Sequence, residues 1–290
     1  MRNMNKLSPP KAMWQIGEFM ALASLGGKAQ KVNRQKYSGA EIKISYGTNP
    51  QQYIMLFPPI APASARDSIV FFVHGGGWNM GSPTLYRFVG RFFAQLGYPT
   101  ILAGYRLTPD YKFPAQLEDA STSLRTGIDY FVQHDIPVKR IILGGHSAGA
   151  QLASLLIFDE EVMKTERPLF LGLFCISGVL DFSFCQSSGI KKLLGDYIGN
   201  LANPEIADPI FYANPALPVS VLCFHGAKDP LVNVMNSKSF TQKLNQGKAN
   251  RAQLTILPNN YHSDTLNLFL EMTDDVQVLT EWIRTIETNG

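Results

Sequence analysis

Leu143-Gly144-Gly145-His146-Ser147-Ala148-Gly149-Ala150 decides how this chain is read. Ahead of it, Val138-Lys139-Arg140-Ile141-Ile142-Leu143 is short, apolar and β-branched, the pattern of a buried strand. Behind it, Ala150-Gln151-Leu152-Ala153-Ser154-Leu155-Leu156 holds helix-forming residues and no breaker. Gly145-x-Ser147-x-Gly149 therefore falls on a strand-to-helix junction, where a serine can be held out on a sharp turn as a nucleophile. Small residues two before and two after leave room for that turn against neighbouring strands. The helix that follows points its first N–H groups at any oxyanion forming beside Ser147.

Outward from this junction the pattern repeats. Ile69-Val70-Phe71-Phe72-Val73 is continuously apolar, as in a strand covered on both faces, and empties into His74-Gly75-Gly76-Gly77-Trp78. Pro99–Ala103, Phe170–Ser177, Val219–Phe224 and Gln253–Leu257 read as further strands. Helix patterns span Leu85–Leu96, about Ala115–Gln133, Val234–Leu244 and Leu266–Ile286. Such alternation predicts an α/β chain: a doubly wound, mostly parallel sheet with helices on both faces. Upstream, Ala40–Tyr46 and Gln52–Phe57 flank Gly47-Thr48-Asn49-Pro50 and predict an antiparallel hairpin. The polar, broken segment 181–218 reads as a cap insertion, and 1–290 as one domain with a helical extension over 1–39.

Composition bounds the function. Of 290 residues 45% are hydrophobic and 17% charged, with a formal charge of +3, too small to argue for a nucleic-acid partner. Cys175, Cys185 and Cys223 form no C-x-x-C pair and no even framework, which suits a reducing, cytoplasmic setting, with export still open. Arg2, Lys6 and Lys11 precede Ala12–Ala23 and loosely mimic a signal peptide. Gln15 and Glu18 interrupt the apolar run, however, and Met13, Ile16, Met20 and Ala23 fall at helical spacing. The expectation is a helix packed on the domain and closed by Gly26-Gly27, with no stable membrane insertion.

A serine nucleophile needs a base, and the base needs a carboxylate that stabilises the imidazolium. His262 follows the last strand through Pro258-Asn259-Asn260-Tyr261, a loop from which an imidazole can reach the serine. Asp229 leaves the strand Val219–Phe224 through a glycine-containing turn, while Asp181, after Ser177-Gly178-Val179-Leu180, is the rival acid. His74, His146, His225 and His134 have weaker claims; His74 reads as a brace for the glycine run. Residues without Cβ let N–H groups approach a tetrahedral oxygen, so Gly75, Gly76 and Ala148 are the expected oxyanion donors. Trp78, Leu180, Phe182 and Tyr261 flank the strand ends and could line a substrate pocket. No zinc spacing, dinucleotide fingerprint or P-loop occurs, so no metal or cofactor is expected. The polar cap suggests short, soluble acyl chains and no activation at an oil–water interface.

His74-Gly75-Gly76-Gly77-Trp78, Tyr105-Arg106-Leu107-Thr108-Pro109, Gly145-His146-Ser147-Ala148-Gly149, His225-Gly226-Ala227-Lys228-Asp229 and the late His262 occur in one order. On these motifs the chain, from about Ile44 to Ile286, resembles the hormone-sensitive-lipase-like and kynurenine-formamidase-like esterases of the α/β-hydrolase superfamily. It departs from them at Met55, where many relatives carry Asp, and at Thr108-Pro109-Asp110, where Ala-Pro-Glu is usual. The resemblance implies a serine hydrolase of small carboxylic esters, with an arylformamidase as the alternative and a non-catalytic binding protein of the same fold as a third reading. The oligomeric state is not specified by any of these features.

Overall fold

The computed structural model describes residues 11–61, 66–246, 251–271 and 274–289; Arg2 and Lys6 lie outside them. Its centre is one eight-stranded sheet made of β1 (Ile42–Ser45), β2 (Tyr53–Phe57), β3 (Ser68–Val73), β4 (Thr100–Ala103), β5 (Arg140–His146), β6 (Phe170–Ile176), β7 (Ser220–Gly226) and β8 (Ala252–Leu257). The spatial order is β1-β2-β4-β3-β5-β6-β7-β8. β1 pairs with β2, and β2 with β4, antiparallel; every other neighbouring pair runs parallel.

Two apolar layers sandwich the sheet, and β3 explains why its sequence does not alternate. Ile69, Phe71 and Val73 face α3 (Ala115–Gln133) and α4 (Ala148–Phe158), meeting Leu117, Leu124 and Leu152 in one core. Val70 and Phe72 face the other way, into a core with Phe88 and Phe93 of α2 (Arg87–Gln95) and Leu279 and Trp282 of α8 (Asp274–Asn289). With both faces covered, period-two polarity disappears and the strand reads as a continuous apolar run. The parallel strands β3, β5, β6 and β7 all end on one edge, beside the loops carrying His74, Ser147, Ser177 and Asp229.

Three expectations change. The pattern Leu266–Ile286 is two elements, a 3-10 turn over Asp264–Phe269 and then α8. The N-terminal helix α1 (Lys11–Arg34) does not stop at Gly26-Gly27 but continues two turns beyond. Tertiary contacts override the glycine penalty there: Ala29 is buried, and Arg91 of α2 donates to the carbonyls of Val32 and Gln35. The face by which α1 docks also differs. Ala21, Leu25 and Ala29 turn inward, while Ile16 and Met20 face solvent.

Between β6 and β7 lie a 3-10 turn at Phe182–Phe184, α5 (Ser188–Ile198), a second at Pro204–Ala207, and α6 (Pro209–Tyr212). Beyond β7 comes α7 (Met235–Leu244). The three cysteines are buried and unpaired. Among the described residues, no helix is long and apolar enough to cross a membrane.

Candidate active site

Ser147 sits between β5 and α4 with φ of 53° and ψ of −119°, a left-handed conformation that a non-glycine residue holds only under external constraint. The constraint is visible in its neighbours. A Cβ on Gly145 would fall 2.4 Å from the backbone of Gly149, and one on Gly149 would fall 2.1 Å from the carbonyl oxygen of Val73. No other residue fits either place without moving backbone. The Ser147 N–H donates to the Ile176 carbonyl at 2.9 Å, pinning the turn to β6.

Opposite Ser147 is His262, on the loop after β8. Its Nδ1–H donates to Asp229 Oδ2 at 2.7 Å, which leaves Nε2 to accept the Ser147 hydroxyl at 2.9 Å. Asp229 is fixed from behind: Oδ1 accepts the N–H groups of Leu231 and Val232 at 2.9 and 2.8 Å. His225 Nε2 stands 3.3 Å from Oδ2. Burial by itself would raise the Asp229 pKa, but the positive potential of His262 and the hydrogen bonds from His225 and His262 outweigh it and hold the carboxylate below its usual range. Burial by itself would lower the His262 pKa; Asp229, with smaller contributions from Glu18 and Asp264, raises it above the ordinary imidazole value instead. Such a chain of bonds can take the proton of Ser147 as the oxygen attacks an electrophile. Asp181, the rival acid, is engaged elsewhere, accepting from Ser183 and Ser239.

The glycine run departs from expectation at Gly75. Its N–H donates to Tyr86 Oη at 3.1 Å, so it is not free to meet an oxyanion. Tyr86 passes the contact on to His146 Nδ1 at 2.9 Å, and His146 Nε2 lies 3.4 Å from the carbonyl oxygen of His262. Burial and the neighbouring His262 push the His146 pKa down to about 3, so the ring is neutral and Nδ1 accepts from the Tyr86 hydroxyl. A hydrogen-bonded link thus joins the glycine loop to the backbone of His262. Nothing in the sequence singled out Tyr86. The N–H groups of Gly76, Gly77 and Ala148 donate to no other group among the described residues. His74 stacks on Tyr105 at 4.3 Å, and Tyr105 Oη donates to the His74 carbonyl, so the loop is braced from below. Burial lowers the His74 pKa to about 4.

The four expected pocket residues are placed differently. Trp78 is fully buried, stacked on Tyr197 of α5 at 4.3 Å with its Nε1–H donating to Gln151. Leu180 is fully buried in the core, and Phe182 packs against it. Tyr261 lies over Gly17 of α1, where a Cβ would fall 2.2 Å from its ring. None of them lines the cavity at Ser147. That cavity, of about 950 Å³, is walled by Leu22, Leu25 and Ala29 of α1, Met80 after the glycine run, Leu193 of α5 and Leu231. Strand-end position misled the reading, because Trp78, Leu180 and Phe182 turn down into the core and Tyr261 turns toward α1.

Known proteins share this fold. A crystal structure of esterase B from Lactobacillus rhamnosis with a tributyrin phosphonate superposes with a TM-score of 0.74 at 22% identity, covering 96% of this chain and 94% of that one. Esterase LipQ of Mycobacterium tuberculosis is 22% identical over 249 residues, 79% of this chain and 58% of its own length. Arylacetamide deacetylase of Oryctolagus cuniculus is 34% identical over 116 residues, 36% of this chain and 29% of its own. The chain thus spans less than two thirds of the curated relatives it matches. The BD-FAE family model matches residues 58–244, which carry the glycine run, Ser147 and Asp229, and this chain therefore belongs to the BD-FAE family, within the α/β-hydrolase superfamily.

Proposed function

We propose that the protein is a serine hydrolase of carboxylic esters, with Ser147 as nucleophile, His262 as general base and Asp229 as the carboxylate that orients it. The observation that carries this reading is the left-handed backbone at Ser147 with its hydroxyl 2.9 Å from a histidine that is itself bonded to a buried aspartate. In the first step the Ser147 oxygen attacks the ester carbonyl and its proton passes to His262 Nε2. The tetrahedral oxyanion is met by the N–H groups of Gly76, Gly77 and Ala148, with Gly77 in the place expected for Gly75. His262 then returns the proton to the leaving alcohol, and a water activated by the same nitrogen hydrolyses the acyl-serine.

The names of the relatives, esterases and a deacetylase, fit this chemistry. The cavity refines the substrate. A site of about 950 Å³ with apolar walls accommodates an ester bearing a sizeable apolar group, larger than the short acyl chain suggested by the polar cap. Trp78, which follows the glycine run, is fully buried and offers no wall to an aryl formamide, so the ester reading is retained. A pre-steady-state burst of p-nitrophenol from p-nitrophenyl butyrate, absent in Ser147→Ala, is the expected result. Undiminished turnover in that variant would remove the assignment.

A further inference from the structure

The strongest unassigned feature of the site comes from the far end of the sequence. Glu18, on α1, reaches the loop of His262, 244 positions away. Its Oε2 accepts the His262 N–H at 2.7 Å, its two carboxylate oxygens accept the Ser263 N–H at 3.1 and 3.2 Å, and the Ser263 hydroxyl donates to Oε1. Beside it, Gly17 leaves the space that the Tyr261 ring occupies. Gly17 and Glu18 together therefore grip three consecutive residues, Tyr261, His262 and Ser263.

We propose that Glu18 is a positioning residue for His262, and that α1 is part of the hydrolytic apparatus through this carboxylate. The proposal rests on the reading of His262 as the base for Ser147. Its geometry is specific. The His262 carbonyl accepts from Thr265 Oγ1 at 2.7 Å and lies 3.4 Å from His146 Nε2, and its ring is bound by Asp229. The N–H held by Glu18 is the remaining polar group of that residue. Without it, two adjacent backbone donors in a part-buried loop lose their acceptor, and the loop is free to carry the imidazole away from Ser147. The helix is itself anchored at its far end: Lys28 pairs with Glu271 at 2.7 Å, and Arg91 bonds the carbonyls of Val32 and Gln35. Glu18 is thus presented by a fixed element.

The charge has a consequence that packing alone would not. The ionisable groups around His262 are Asp229 and His225 from β7 and its loop, His146 from β5, Asp264 from its own loop and Glu18 from α1. Asp229, Glu18 and Asp264 favour the imidazolium. Removing the Glu18 charge therefore lowers the pH at which His262 loses its proton.

The test compares Glu18→Gln and Glu18→Ala with the wild-type chain and with Ser147→Ala, in full pH profiles of kcat and kcat/KM for p-nitrophenyl butyrate. Glu18→Gln keeps an amide oxygen to accept the two N–H groups but no charge. It is expected to retain kcat within about threefold while its acid limb moves down by roughly half a pH unit. Glu18→Ala loses both and is expected to show the same displacement with kcat lower by about tenfold. Phe19→Ser, at an exposed neighbour on the same helix, serves as the control and is expected to match wild type. Wild-type kcat and an unmoved acid limb in both Glu18 variants would overturn the proposal. So would a loss of melting temperature with an unmoved profile, the mark of a purely structural contact. Hydrolysis persisting in Ser147→Ala would overturn the reading of the site, and the proposal with it; a dead Ser147→Ala beside wild-type Glu18 variants would overturn the proposal alone.

Discussion

At the scale of single residues, the proposed chemistry turns on one proton and where it rests. His262 must be neutral to accept the Ser147 proton, and its pKa is raised by Asp229 despite burial. Activity should therefore fall as pH drops through a value above the ordinary imidazole pKa of about 6.5. Asp229→Asn removes the charge that raises it, so the acid limb should move to lower pH while kcat falls by about 10⁴-fold from the misplaced tautomer. A steady-state pH profile measures both; a displacement to higher pH would contradict the sign. Tyr86 supplies a second prediction. Tyr86→Phe leaves the Gly75 N–H without its partner and breaks the link to His146, so kcat should fall about tenfold. Equal kcat in wild type and variant would show that the link is idle.

At the scale of elements, the strand-to-helix turn was legible because its requirements are local. A serine on a strained turn demands small residues at fixed spacing, and a Cβ on Gly145 or Gly149 would run into neighbouring backbone. Gly149→Ala would push a methyl into the end of β3, at a cost of roughly 2–3 kcal/mol, readable as a lower denaturation midpoint. A midpoint unchanged from wild type would mean that β3 can yield. The alternation of strands and helices, and the antiparallel start of the sheet, were legible for the same local reason. What escaped was non-local. The N–H of Gly75 looks available until Tyr86, eleven residues on, is folded against it. Trp78 looks like a pocket wall until α5 brings Tyr197 beneath it. α1 looks finished at Gly26-Gly27 until Arg91 holds its last turns.

At the scale of the whole molecule, the cavity wall beside Ser147 and the loop of His262 both depend on α1, whose sequence signalled only a helix. The segment between β6 and β7 contributes Leu193 to the cavity, but much of the remaining apolar wall is Leu22, Leu25 and Ala29 from the N-terminal side. Acyl specificity should follow that wall. Rates for p-nitrophenyl esters are expected to rise from acetate to medium-length chains, and a maximum at acetate would show that the cavity does not receive the acyl group. Ile16, Phe19 and Met20 also stand exposed on the same helix, an apolar surface that the polar cap had given no reason to expect.

The central claim is that Ser147 is the nucleophile, activated through His262. Labelling with a fluorophosphonate, followed by mass analysis of the modified peptide, reads it directly. The expected result is a single adduct on Ser147, lost in Ser147→Ala and slowed by orders of magnitude in His262→Ala. An adduct on another residue, or labelling of Ser147 that is indifferent to His262, would contradict the account.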